Sequence, residues 1–420
     1  MTLVLPLSSD VATNAARFGA KAGRLAALLR AGLPVPEGFC VDAEAYRLEI
    51  AHLRLGRAAC GVFAAEDRAQ ARRHALDIKL GLMEGALEPR VAQALAEVWR
   101  AVKKPCVVRS SALVEDSADA SFAGQFQSYL GIDNEQDFFT AIRACWAALW
   151  STRALRYFAT HEFDPACTAM AILVQPLIAA RAAGGGLSRT AEGDMLVNAA
   201  SGLGAQVAQG EVVPDSYRLD RTGRLKESAL GRKYHAVGCI HGRQMLSRTF
   251  LRAPCLDEDE LAAIALIMLK AEPLSRGPVE IEWALDDSGV KLLQARPLHI
   301  GRAHVPDEIW LQHPRLNGHP SGAGWGTGRA RVVSCECELE RVAPGDVLIT
   351  TVAGPALSEM LPRVSGVVAE LGGSTSHLAS LARERGIPMV LGVRDATERI
   401  PDGAMVAVDG VAGIVRWMHA

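Results

Sequence analysis

The sequence has no long apolar run, no Cys-x-x-Cys pair, no internal repeat, no low-complexity tail and almost no net charge. Each absence closes a class of function. Lys and Arg number 45 against 47 Asp and Glu, leaving a formal charge of -2 with no basic run. Nucleic acid is therefore not an expected partner, although a local basic pocket for phosphates stays open. No stretch reaches the length of a membrane span, and the N-terminus shows no charged segment leading into an apolar core. Neither a membrane anchor nor a secretion leader is expected. The nine cysteines are odd in number and scattered, as reduced thiols are in a cytoplasmic protein. Cys335 and Cys337 flank one glutamate without further ligands nearby, so we expect a structural pair and no zinc.

What is present is ample apolar content, 49% over 420 residues, enough for two or three domains with separate cores. Residues 1 to about 300 mix helical and strand patterns. Arg90 to Val102 and Glu258 to Ala271 read as amphipathic helices; Cys106–Val108, Ala171–Val174 and Met195–Val197 read as buried strands. Ala179 to Gly186 reads as a flexible loop. Residues 299–328 hold four histidines, three prolines and six glycines with little apolar periodicity, the composition of a hinge. From 329 to 420 short β-rich runs surround one clear helix, which predicts a compact β/α domain.

That helix carries the most informative run, Gly372-Gly373-Ser374-Thr375-Ser376-His377, ended by Gly386 and Pro388. The glycines permit close backbone approach, and Ser374 or Thr375 can cap the first free N–H groups. A histidine on the first turn sits where the helix dipole favours its neutral form and would stabilise an anion on the ring. A capped helix with an incidental surface histidine fits the same letters.

Four segments nearer the N-terminus carry polar residues in unusual settings. Lys21 stands among glycines and suits a phosphate contact, or a solvated helix start. Arg109 follows a buried strand, Cys106–Val108, where a guanidinium calls for an anion. Ala120 to Gln125, with Ser121, Gly124 and Gln125, is a small-residue loop able to lie over a triphosphate, or a plain turn. Two alternating strands, Glu280 to Asp286 and Val290 to Pro297, flank Asp287-Ser288-Gly289. With Asp286 opposite Val290, the register sets Glu282 against Gln294 and Glu280 against Arg296, all on one face. A carboxylate beside an amide oxygen suits Mg²⁺, and Arg296 could neutralise phosphate; a solvated polar face is the other reading.

The run from Gly372 through Val393 resembles the phosphohistidine loop of the phosphoenolpyruvate synthase and pyruvate phosphate dikinase family, which includes rifampin phosphotransferase. His377 matches the histidine that carries phosphate there. The N-terminal segments resemble, in the same order, the ATP-grasp nucleotide-binding portion of that family. The resemblance implies an α/β and α+β multidomain chain: an ATP-grasp region of two subdomains over 1–298, a hinge over 299–328, and a swivelling phosphohistidine domain over 329–420. It implies Lys21 and Arg109 on phosphate, Glu282 and Gln294 on Mg²⁺, and Arg296 beside the transferring phosphoryl groups. Gln175 to Ile178 falls at the adenine-facing hinge. Gly202-Leu203-Gly204 and Gly210 to Asp215 match family patterns, whereas Ala205 stands where a glutamate is usual. Gly184 to Thr190 replaces a segment that typically ends in Phe-Thr.

The implied activity is phosphotransfer of the dikinase type with ATP and Mg²⁺. His377 takes phosphate from ATP, AMP leaves, and Arg109 and Arg296 assist. The (β/α)₈ barrel that binds pyruvate or phosphoenolpyruvate takes about 250 residues, and none follows Ala420. The acceptor is therefore expected to be a small molecule or a separate chain that carries an acceptor domain. A regulatory phosphocarrier and an ADP-forming kinase are the competing classes.

Overall fold

The structure, a computed structural model, describes residues 2–114, 126, 128–160, 163–231, 234–240, 243–248, 254–301 and 308–418. Its contacts divide the chain into two units, Met1–Ile178 and Ala179–Ala420. The division falls inside the 1–298 stretch.

The first unit is built on a five-stranded antiparallel sheet in the order Val4–Pro6, Phe39–Val41, Met170–Pro176, Cys106–Ala112, Ser128–Ile132. The strand Cys106–Ala112 is buried along its whole length. Helices cover the sheet because their apolar residues recur every three or four positions. In Pro89–Ala101 the buried set is Val91, Leu95 and Val98; in Glu135–Ala147 it includes Phe138, Ile142 and Trp146. Pro89 opens its helix where no N–H is needed, and the Glu88 carboxylate accepts from Val91 N.

The second unit holds two large sheets. One has six antiparallel strands in the order Gly289–Pro297, Val279–Asp286, Ala182–Leu187, Met195–Ser201, Asp215–Leu219, Leu225–Ala229. The helix Glu258–Ser275 packs on it, started by a capping box between Asp257 and Glu260. The other sheet has eight strands, four of them parallel: Trp325–Val333, Val347–Thr350, Gly366–Ala369 and Met389–Leu391. The helix His377–Glu384 is the crossover between the last two of these, as parallel neighbours require. Cys335 is a local cap, its Sγ accepting from Cys337 N (3.4 Å).

Two expectations are corrected here. Ala179 to Gly186 is not a loop: Ala182–Leu187 is a buried strand inside the six-stranded sheet. Its glycines reflect close neighbours, since a Cβ on Gly186 would meet Met268 Sδ at 2.8 Å. The hinge composition of 299–328 extends too far. Residues 302–307 lie outside the described residues, but Arg315–Asn317, His319–Pro320 and the start of Trp325–Val333 are strands of the eight-stranded sheet. A side chain on Gly318, Gly322 or Gly326 would collide with the carbonyl of Leu391, Ile387 or Ser365 respectively. Glycine there serves tight packing rather than freedom.

Candidate functional site

In the first unit Lys21 lies in the helix Ala15–Arg30, which kinks at Gly19 with φ +76°. The kink lets Ser111 reach in: its Oγ donates to Phe18 O (2.7 Å) and accepts from Ala22 N (3.1 Å). Lys21 is buried and its Nζ donates to Ser110 O (2.9 Å). Arg109 stands in the middle of its strand, not at its end, facing Leu173 and Ser128. Its Nη1 donates to Gln175 Oε1 (3.4 Å), and Gln175 Nε2 donates to Pro36 O (2.7 Å). Lys21, Arg109 and Gln175 thus lie on one sheet and the helix against it, with half-buried Ile178 at the end of the segment. Ser121, Gly124 and Gln125 lie outside the described residues.

The second unit carries the rest. The hairpin pairs Glu282 with Gln294 and Glu280 with Arg296, as expected, but by a different route. Asp286 pairs with Gly289 rather than Val290, one residue early, and a bulge between Glu282 and Trp283 restores the count. Leu292, not Leu293, therefore lies opposite Trp283 in the core. Gly289 takes φ +101°, and Asp286 Oδ1 ties the turn by accepting from Ser288 N (2.8 Å).

The same row continues across the sheet: Glu282 is opposite Gly185, and Gly185 is opposite Asn198. Successive strands lie about 4.8 Å apart, so Gln294, Glu282 and Asn198 line one face with a glycine notch between the last two. Glu282 Oε1 is buried with no hydrogen-bond partner, as is Asn198 Nδ2. An orphaned carboxylate oxygen opposite a glutamine fits a hard divalent cation that takes few protein ligands and completes its shell from phosphate and water.

His377 is the first residue of its helix, half-buried, just past the carboxyl end of the parallel strand Gly366–Ala369. That is where open α/β sheets present ligand groups. The cap is Ser376, whose Oγ accepts from Ala379 N (3.3 Å), rather than Ser374 or Thr375. Thr375 fills the Gly185 notch and its Oγ1 donates to Asn198 Oδ1 (3.5 Å).

One helical turn beyond His377, Ser380 Oγ donates to Glu280 Oε2 (3.2 Å). Arg383 Nη2 bonds the same oxygen (2.7 Å), while Arg296 Nη2 holds Oε1 (2.9 Å). Arg383 Nη1 also braces the histidine loop through Ser374 O (2.6 Å). Burial alone would raise the Glu280 carboxyl, but the two guanidinium groups overcome it and hold it down to about 2. Arg296 is thus carboxylate-bound beside the Glu282–Gln294 pair.

Sequence reasoning did not single out Glu280, Asn198, Ser380 or Arg383 as site residues. Asn198 did leave a signal, as the one amide in the otherwise small and apolar run Met195–Ala200. Arg383 left none, because an arginine in the last helical turn reads as ordinary surface.

Residues 15–310 match the family model described as pyruvate phosphate dikinase, AMP/ATP-binding domain, and residues 342–413 match the PEP-utilising enzyme, mobile domain. A probable phosphoenolpyruvate synthase of Methanothermobacter thermautotrophicus is 30% identical, over 94% of this chain and 61% of the relative. The phosphoenolpyruvate synthase of Pyrococcus furiosus is 28% identical, over 94% and 56%. That of Pseudomonas aeruginosa is 29% identical, over 92% and 53%. The chain therefore spans little more than half the length of these curated relatives. Among the described residues no helix is long and apolar enough to cross a membrane. With the nucleotide-domain match covering most of its length and the mobile-domain match following in order, the chain belongs to the pyruvate phosphate dikinase and phosphoenolpyruvate synthase family.

Proposed function

We propose that the chain is a cytoplasmic ATP-dependent phosphotransferase of the dikinase type, with an ATP-grasp nucleotide-binding region and a phosphohistidine carrier. His377 attacks the β-phosphorus of ATP, the bond to the α-phosphate oxygen breaks, and AMP leaves. The terminal phosphate is then lost to water or inorganic phosphate. The phosphoryl group left on His377 passes to an acceptor, a small molecule or a separate chain carrying its own acceptor domain.

The observation that supports this most directly is the seating of the His377 loop on the strand face that bears Glu282 and Gln294. Positioning and charge neutralisation carry most of the catalysis in phosphoryl transfer. Glu282 and Gln294 would hold Mg²⁺, which when bound neutralises charge on the transferring phosphates. Arg296 would add a fixed positive group beside them, and Lys21 and Arg109 would bind phosphate oxygens. Ser121, Gly124 and Gln125 are further nucleotide-binding candidates by resemblance, and the Gln175 to Ile178 backbone would read adenine.

Incubation with ATP labelled at the β-phosphorus tests the proposal. Wild type should acquire acid-labile label and release AMP, and His377→Ala should do neither. Release of ADP with no need for His377 would instead make the chain an ordinary kinase. Nucleotide binding without label would make it a regulatory carrier.

A further inference from the structure

The histidine domain rests on the six-stranded sheet through two contacts of different physical kind. The first is steric. A Cβ built on Gly185 would fall 2.7 Å from Thr375 Oγ1 and 2.8 Å from Cγ2, and closer still to its Cβ. These are well inside the ~3.5–4.0 Å of normal carbon contact. Gly185 needs no glycine for its own backbone: its φ is not positive and both neighbouring strands pair with it regularly. The glycine leaves room for one side chain, two residues before His377.

The second contact is electrostatic and shared. Glu280 gives one oxygen to Arg296 of its own hairpin and the other to Arg383 and Ser380 of the histidine helix. If the helix moved away, Glu280 would keep Arg296, and Arg383 would keep the carbonyls of Ser374 and Ser321. Neither half would be left as an isolated buried charge, the situation that makes breaking an ion pair most costly. Such a contact can form and release repeatedly.

We infer that the Gly185 notch and the Glu280 carboxylate are the receptor for Thr375 and Arg383, and that this key places His377 for loading from nucleotide. Gly185 and Arg383 are thus positioning residues of the transfer step. The inference rests on the function proposed above.

The test is a cycle of variants read by the rate of His377 labelling and, separately, by equilibrium binding of Mg-ATP. Gly185→Ala must shift the loop by about 1 Å, which should slow labelling roughly a hundredfold with ATP affinity held within about twofold. In a Thr375→Gly background the same alanine should change the rate by less than about twofold. Arg383→Gln should slow labelling about tenfold or more and Arg383→Lys less, since lysine keeps the charge but loses the fork. Labelling of Gly185→Ala at the wild-type rate, an equal loss in both backgrounds, or a parallel loss of ATP affinity would overturn the inference alone. Wild type that never labels would overturn the proposed function and this inference together.

Discussion

Glu280 and Glu282 sit two residues apart on one strand and one face, yet the protein treats them oppositely. Glu280 is 2% exposed, binds two arginines and a serine, and stays ionised down to about pH 2. Glu282 is half-buried, lies opposite a glutamine, and keeps one buried oxygen with no hydrogen-bond partner. Saturation makes the first a structural clasp. The second keeps an acceptor uncommitted, the oxygen that the proposed Mg²⁺ would use. What decides between them is the neighbouring row: Arg296 stands across from one, Gln294 across from the other.

Removing the clasp's charge should have the largest effect. Glu280→Gln leaves two buried guanidinium groups without their carboxylate, and breaking a buried pair from one side costs about 3–5 kcal/mol. Thermal or denaturant unfolding of the variant measures it. The pH dependence follows from the same shift. A carboxyl with its folded pKa lowered from 4.5 to about 2 stabilises fully above pH 4.5 and loses that stabilisation as pH falls towards 2. It is worth about 3 kcal/mol by linkage. Stability of wild type should therefore fall more steeply than that of Glu280→Gln between pH 4.5 and 2.

Glu282→Gln should do the reverse, shifting stability by less than about 1 kcal/mol. It should abolish the Mg²⁺ dependence of ATP binding, measured by titration with and without the metal. If both substitutions proved equally destabilising, the contrast between the two carboxylates would be wrong. The smallest effect belongs to the helix cap. Ser376→Ala removes the acceptor for Ala379 N and should cost about 1 kcal/mol, readable as a small drop in melting temperature.

The cross-strand partners were legible because side-chain alternation sets them by counting. Glu282 with Gln294, and Glu280 with Arg296, required only an opposed pair of strands. The route between them was not legible. A bulge depends on local twist and leaves no letter in the sequence. Likewise Gly184 to Gly186 has a loop's composition: it is a strand because strands pair with it on both sides, and glycine because Asn198 O, Thr375 and Met268 leave no room for a Cβ. The capping serine was misplaced by two residues or one because three of the four residues before His377 are hydroxyl-bearing, and only the backbone at Ser376 decides. The place of His377 at the head of its helix was readable, being fixed by its own local turn, whereas the ion pair of Arg383 is made with a strand about a hundred residues earlier.

The bulge at Leu293 has one more consequence. Leu293 is the extra residue between Gln294 and Leu292, so the ladder from Trp283 to the turn at Asp286 runs one residue out of step with the Glu282–Gln294 pair. Lengthening the tip by one residue and deleting Leu293 together should therefore leave Glu282 opposite Gln294, whereas either change alone should put the pair out of register.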